Sequence, residues 1–200
     1  MSKRIGLINF GVVGNIRSIQ KALVKAGADA LIVESPEQLN KVDKLVIPGV
    51  GSFPDAMKEL KQGKLLEPLK SAMEDKPTLG ICLGMQILSR VGFEYGKTEG
   101  LGVFDAEVKP IICEGTVPHM GFNKVSVQVK NPLLKGLDGL DFYFMHSYEV
   151  VNYRNILALT SYAGHEFVSA IVKEHIYGVQ FHPEKSRDEG IELFKNFINL

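Results

Sequence analysis

Two short stretches hold the residue types that nucleophilic catalysis needs. In Pro77-Thr-Leu-Gly-Ile-Cys82-Leu-Gly-Met-Gln86 a cysteine stands where an apolar run ends and a helix-like run, Leu83 to Arg90, begins. The spacing of Gly80, Cys82 and Gly84 is that of a nucleophile elbow, in which residues without a Cβ let the chain turn sharply and leave the nucleophile on strained backbone. A thiol at a helix N-terminus meets backbone N–H groups and the positive end of the helix dipole, both of which favour the reactive thiolate. The second stretch, Gly178-Val-Gln-Phe-His182-Pro-Glu184-Lys, offers a base and a group to orient it. In extended backbone, residues i and i+2 face the same way, so His182 and Glu184 project together while Pro183 restricts the chain between them. A carboxylate on one ring nitrogen fixes the tautomer and stabilises imidazolium, leaving the other nitrogen to exchange a proton with a thiol. The bland alternative makes Cys82 a small core residue and Glu184 a surface ion pair with Lys185 or Arg187. The presence of both stretches in one chain favours a Cys82, His182, Glu184 triad.

The elements that must position these groups follow an alternating order. Arg4 to Phe10 reads as a buried strand, Gly11-Val-Val-Gly14 as a loop, and Asn15 to Ala26 as a helix with Ile16, Ile19, Leu23 and Ala26 on one face and Gly27 as its stop. Ala30 to Val33 is a second strand, Ser35-Pro36 starts a short helix, and Leu45 to Ile47 is a third strand ending in the glycine loop Pro48-Gly-Val-Gly51. Helices follow over Ala56 to Leu60 and Leu65 to Met73. This order predicts a parallel sheet covered on both faces, with functional groups at the C-terminal ends of the strands. Beyond Gly100 the runs are short and β-like: Val103 to Val108, Lys124 to Val129, Phe142 to Met145, Ala158 to Ser161 and Val168 to Val172, suited to hairpins or a mixed extension of the sheet. Ile176 to Phe181 is another buried strand, and Arg187 to Phe197, with Ile191, Phe194 and Ile198 aligned, a closing helix.

At 200 residues and 45% hydrophobic, the chain suits one domain with a sizeable core. Its formal net charge of zero removes the broad basic field that nucleic acid or anionic lipid would need. The N-terminal segment enters a strand without a cleavable apolar region and no apolar run reaches about 18 residues, so a cytoplasmic location is expected. Of the two cysteines, Cys113 has no motif around it and reads as a bystander. The five histidines lack paired ligand spacing, and Gly49-Val-Gly51 lacks the third glycine of a dinucleotide loop, so neither a metal nor a cofactor is expected.

Gly80-Ile-Cys-Leu-Gly-Met-Gln86 together with Gln180-Phe-His-Pro-Glu184 resembles the class I, triad-type glutamine amidotransferases, over nearly the whole chain. Within that class, five stretches are similar to the glutaminase subunits of imidazole glycerol phosphate synthase. They are Gly14-Asn-Ile-Arg-Ser18, Pro48-Gly-Val-Gly-Ser-Phe-Pro-Asp-Ala-Met57, Pro118-His-Met-Gly-Phe-Asn123, Tyr143-Phe-Met-His-Ser-Tyr148 and His182-Pro-Glu-Lys-Ser186. The resemblance implies one glutamine amidotransferase domain over residues 1–200, α/β and flavodoxin-like, with a mostly parallel central sheet, helices on both faces and additional β-hairpins. It implies that Cys82 attacks the glutamine carboxamide, that Leu83 N–H and the Val50–Gly51 segment form the oxyanion hole, and that Gln86, Glu94, Ser147 and Tyr148 hold substrate. For Glu94 an exposed loop carboxylate is the competing reading. It further implies a heterodimer whose other member is a (β/α)8-barrel cyclase, with Asn15, Phe122, Asn123, Tyr143 and Lys185 at the interface; for Phe122 and Tyr143 the rival is a place in the core, and for Arg17 a solvated helix face. Asn9-Phe10-Gly11 and Phe122 depart from the usual family residues, an acidic–aromatic pair and a tryptophan, which leaves the partner open. The rival readings are a paralogous glutaminase feeding an amino-sugar synthase, a hydrolase of another amide, and a non-enzymatic assembly subunit.

Overall fold

The computed structural model describes residues 3–11 and 15–200. The expected loop from Gly11 to Gly14 therefore lies largely outside the described residues, as does Gly14 of the first family-like stretch.

The first half alternates strand and helix: β1 (Arg4–Ile8), α1 (Ile16–Lys25), β2 (Asp29–Val33), α2 (Pro36–Leu39), β3 (Lys44–Ile47), α3 (Phe53–Gln62), α4 (Leu66–Asp75), β4 (Thr78–Ile81) and α5 (Leu83–Ile87). Each boundary has a local cause. Gly27, at φ +102°, provides the left-handed turn that stops α1, Gln38 reaches back to the Ser35 N–H (3.1 Å) at the start of α2, and Ser52 Oγ accepts the Asp55 N–H at the start of α3. The second half is mostly strand: β5 (Ser89–Gly92), β6 (Thr98–Glu99), β7 (Phe104–Pro110), β8 (His119–Lys124), β9 (Ser126–Val127), β10 (Asp141–His146), β11 (Tyr148–Val151), β12 (Ile156–Tyr162), β13 (His165–Lys173) and β14 (Ile176–Val179), closed by α6 (Arg187–Asn199).

Among the described residues the main sheet has the order β2-β1-β3-β4-β14-β13-β12-β9. The five strands from β2 to β14 are parallel and the rest antiparallel, which is the mixed extension expected. β3 and β4 are buried along their whole length, as strands covered on both faces must be. Their residues alternate between two cores. Leu45 and Ile47 join Phe53, Leu60, Leu69 and Met73 beneath α3 and α4, while Val46 and Leu79 join Ile19, Leu23, Phe194 and Phe197 beneath α1 and α6. β10 pairs with β8, and β11, β7, β5 and β6 form a further small sheet.

Four expectations need correction. The helix expected over Leu83 to Arg90 ends at Ile87 because the 101–104 segment takes the carbonyls that a longer helix would use: Leu101 N–H donates to Ile87 O (2.7 Å) and Phe104 N–H to Leu88 O (2.9 Å). The strand expected over Lys124 to Val129 is split, with β8 pairing to β10 and β9 to β12. The first strand stops at Ile8 rather than Phe10. In α6, Leu193, Phe194 and Phe197 form the buried stripe, and Ile191 and Ile198 sit at its edges.

Candidate active site

β4 delivers Cys82 to the C-terminal edge of the sheet, and α5 begins at the next residue. Cys82 adopts φ 53°, ψ −110°, a conformation costly for a residue with a Cβ, and is held there by its N–H on Val179 O (2.8 Å) and its C=O under Gln86 N–H (3.1 Å). The turn tolerates no side chain at Gly84, where an added Cβ would lie 1.8 Å from Ile47 O. Gly84 therefore serves the close approach of α5 to β3, and Gly80, where an added Cβ would lie 2.7 Å from Gly84 O, the close approach of α5 to its own strand β4.

β14, the parallel neighbour of β4, carries the chain to His182. The His182 N–H donates to Tyr143 O (2.8 Å), and its C=O accepts from Ser186 Oγ (2.6 Å). Nδ1 lies 2.9 Å from Glu184 Oε1, and both side chains are fully buried although the Glu184 backbone is not. A carboxylate oxygen accepts only, so Nδ1 carries the hydrogen and Nε2 is left for Cys82. Nε2 makes no well-formed hydrogen bond, yet the Cys82 sulfur governs its proton affinity. Burial disfavours imidazolium, but the charge and hydrogen-bonding capacity of Cys82, joined by Glu184, outweigh it and raise His182 to about 10. The alternative surface ion pair of Glu184 with Lys185 or Arg187 is not formed; Oε1 instead accepts from Asn15 Nδ2. Asn15, expected at a partner interface, is thus 9% exposed and turned inward onto the carboxylate.

A cavity of about 160 Å³ opens over Cys82, lined by Val50, Gly51, Leu83, Gln86, Glu94, Pro118, Met145, His146, Ser147 and Tyr148. Every residue expected at the oxyanion hole or substrate site is in that lining. A larger hollow between Val127 and Asp138 holds none of them. Glu94 is half-buried rather than an exposed loop carboxylate: Oε2 accepts the Phe53 N–H at the start of α3 (2.7 Å), and burial raises its pKa, assisted by the charge of Asp55 and opposed by that hydrogen bond. Gln86 Nε2 donates to Tyr148 O (2.9 Å) and to Gln180 Oε1 (3.1 Å), and Gln180 Nε2 donates to Cys82 Sγ (3.5 Å).

The chain belongs to the class I glutamine amidotransferases. The family model described as "Glutamine amidotransferase class-I" matches residues 7–200. The chain is 43% identical over 201 residues to imidazole glycerol phosphate synthase subunit HisH 1 of Campylobacter jejuni strain RM1221, covering 98% of this chain and all of the relative. It is 42% identical to subunit HisH of Wolinella succinogenes, covering 98% and 99%, and 44% identical to subunit HisH 2 of Methanococcus maripaludis, covering 97% and 98%. Within the amidotransferases it therefore belongs to the HisH family, as the five family-like stretches imply, and not to one of the rival readings. A chain of the PurLQS structure from Thermotoga maritima shares the fold, at TM-score 0.77 and 18% identity over all of this chain and 99% of the other. Among the described residues, no helix of this amidotransferase is long and apolar enough to cross a membrane.

Phe122 and Tyr143 are not core aromatics. Phe122 is 41% exposed and packs edge-on to the half-exposed Tyr143 at 5.4 Å, with Lys185 Nζ 5.7 Å from the Tyr143 ring and the Arg187 guanidinium 4.7 Å from that of Phe122. Asn123 is half-buried and bonds His119 Nε2 (2.7 Å). Arg17 pairs with Gln20 on the exposed face of α1, the solvated reading. Gln180, His119 and His146 also join this site; all three stand in the family-like motifs, which is the signal in the sequence that points to them.

Proposed function

We propose that the chain is the glutaminase subunit of an imidazole glycerol phosphate synthase, working in the cytoplasm beside a (β/α)8-barrel cyclase in histidine biosynthesis. The observation that carries this reading is the buried Cys82, His182, Glu184 arrangement at the floor of a cleft walled by the family-like segments. The Cys82 thiolate adds to the carboxamide carbon of glutamine, and the carbonyl electron pair moves onto oxygen. Leu83 N–H and the Val50–Gly51 segment receive that oxyanion; a lost donor of this kind costs about 3–4 kcal/mol in the barrier. His182 Nε2–H protonates the departing nitrogen, ammonia leaves, and a glutamyl thioester remains on Cys82. Water gives a proton to Nε2 as it attacks the thioester, releasing glutamate and restoring the thiolate. Gln86 and the backbone of Ser147 and Tyr148 hold the substrate, and Glu94 receives its α-ammonium group.

Ammonia released into neutral water becomes mostly ammonium, which is no nucleophile, so the product must pass directly to an acceptor. The half-exposed cluster of Phe122, Tyr143 and Lys185 suits a docking partner, because the Tyr143 backbone also holds His182 N–H. A liganded partner favours the active oxyanion loop, whose Gly51 stands at φ +116° and can change peptide orientation. The test is glutamate release from glutamine by the chain alone and with its host's cyclase plus the ribotide substrate, with Cys82→Ala as blank. Strong stimulation lost in the variant is expected; flat turnover with that cyclase overturns the reading.

A further inference from the structure

Two histidines lie buried side by side beside the cleft, paired across the start of β8 and the end of β10, at 0% exposure for His119 and 5% for His146. Rings fix their planes. His119 stacks on Tyr162 at 4.0 Å and on Phe144 at 5.1 Å, and His146 meets Phe167 edge-on at 4.9 Å.

Their hydrogen bonds fix the protons. The Tyr148 carbonyl, 2.9 Å from His146 Nδ1, can only accept, so Nδ1 carries the hydrogen. Burial pushes His146 down to about 3, which keeps it neutral, and its bare Nε2 accepts from His119 Nδ1 at 3.2 Å. With Nδ1 donating, the Nε2 of neutral His119 is bare and accepts, so the Asn123 carboxamide beside it must turn over to present its amide hydrogen.

The Tyr148 carbonyl has a second donor, Gln86 Nε2, and the line continues through Gln180 to Cys82 Sγ. Each amide in it has its direction set by the one before. If Tyr148 O is lost as acceptor, Gln86 can turn over, and Gln180 then has no reason to point its amide rather than its oxygen at the sulfur. An oxygen in that place would repel a thiolate.

We propose that His119 and His146 are positioning residues for the glutaminase reaction: they hold the Tyr148 carbonyl, and through it set the Gln86 amide for substrate and the Gln180 amide for Cys82. The proposal rests on the glutaminase reading of the site. It gives the paired histidines a role in substrate affinity and thiol reactivity, at a distance from the reacting atoms.

The test compares His146→Asn with His146→Gln. Asparagine places an amide N–H where Nδ1 stood and keeps the donor to Tyr148; glutamine places its polar atoms where Nε2 stood and loses that donor. Two quantities are read: KM and kcat for glutamine with cyclase and ribotide, and the rate of Cys82 alkylation by iodoacetamide with neither substrate nor partner. Removing one such hydrogen bond is expected to change each by about three- to tenfold. His146→Gln should raise KM and slow alkylation by that factor, and His146→Asn should recover most of both. Equal behaviour of the two variants, or no departure from the parent chain in either, overturns the proposal. Where a His146 variant does not fold, His119→Asn and His119→Gln give the same contrast at the preceding bond. Absence of glutamate release in the parent chain would instead sink the glutaminase reading, and the alkylation rates would still decide whether the histidines act on Cys82.

Discussion

At the scale of single residues, Glu184 divides its carboxylate between two donors, His182 Nδ1 and Asn15 Nδ2, on the same oxygen. Asn15 thus keeps the carboxylate from rotating away from the imidazole. Losing a hydrogen bond to a charged group costs about 1.5–3 kcal/mol, so Asn15→Leu should lower kcat by about ten- to a hundredfold with KM little changed; steady-state glutaminase kinetics with the partner present check this. His146 makes a second, pH-dependent contribution. Its ordinary value is 6.5 and burial lowers it to about 3, so the unfolded chain binds the proton first as pH falls. The stabilisation is complete above pH 6.5 and is lost on the way down to about 3, at no more than about 1.4 kcal/mol per pH unit. His182, shifted the other way, adds no slope there, because its stabilisation is fully present below 6.5. Urea unfolding between pH 7 and pH 4 should therefore show an acid loss that His146→Asn reduces; an unchanged slope in the variant would contradict the assignment. Cys82, His182 and Glu184 were legible in the sequence because their geometry is local: a glycine two positions to either side of one, a single proline between the others. Asn15 was not, since its partner is 169 positions away and a polar residue at a helix start has an ordinary use as a cap.

At the scale of elements, the elbow works because α5 is pressed against β3. Ile47 O occupies the place of a Gly84 side chain, and Gly49 packs closely, though less tightly, on Leu83, where an added Cβ would lie 2.6 Å from Leu83 Cβ. Gly84→Ala should therefore destabilise by at least about 3 kcal/mol, the range of backbone clashes in a core that cannot shift. Chemical unfolding measures it, and a loss under about 1 kcal/mol would mean that α5 can move off the sheet. The parallel half of the fold was readable because buried strands and amphipathic helices have distinct periods and glycine or capping residues at their ends. The small sheet containing β5 and β11 was not. Ser-Arg-Val-Gly92 continues the apolar run of α5, and only the competition of the 101–104 segment for its carbonyls turns it into a strand.

At the scale of the whole molecule, Cys82 and His182 meet because β4 and β14, nearly a hundred residues apart in the chain, are parallel neighbours in the middle of the sheet. Both leave at the same edge, where α/β folds gather their chemistry. The surface beside that edge carries Phe122, Tyr143 and Lys185, with Met120 also exposed (58%). Removing a central aromatic from an interface commonly costs about 2 kcal/mol or more in binding, so if the proposed cyclase docks here, Phe122→Ala should weaken that association by about thirtyfold or more while leaving thermal stability almost unchanged. Titration calorimetry with the purified partner reads both the affinity and its loss. The direct test of the central claim is covalent: the chain, turning over glutamine with its partner, is quenched in acid and its cysteine peptides are weighed. A glutamyl adduct on the Cys82 peptide and none on the Cys113 peptide is the result predicted; turnover with Cys82 unmodified throughout, or with the adduct on Cys113, would contradict it.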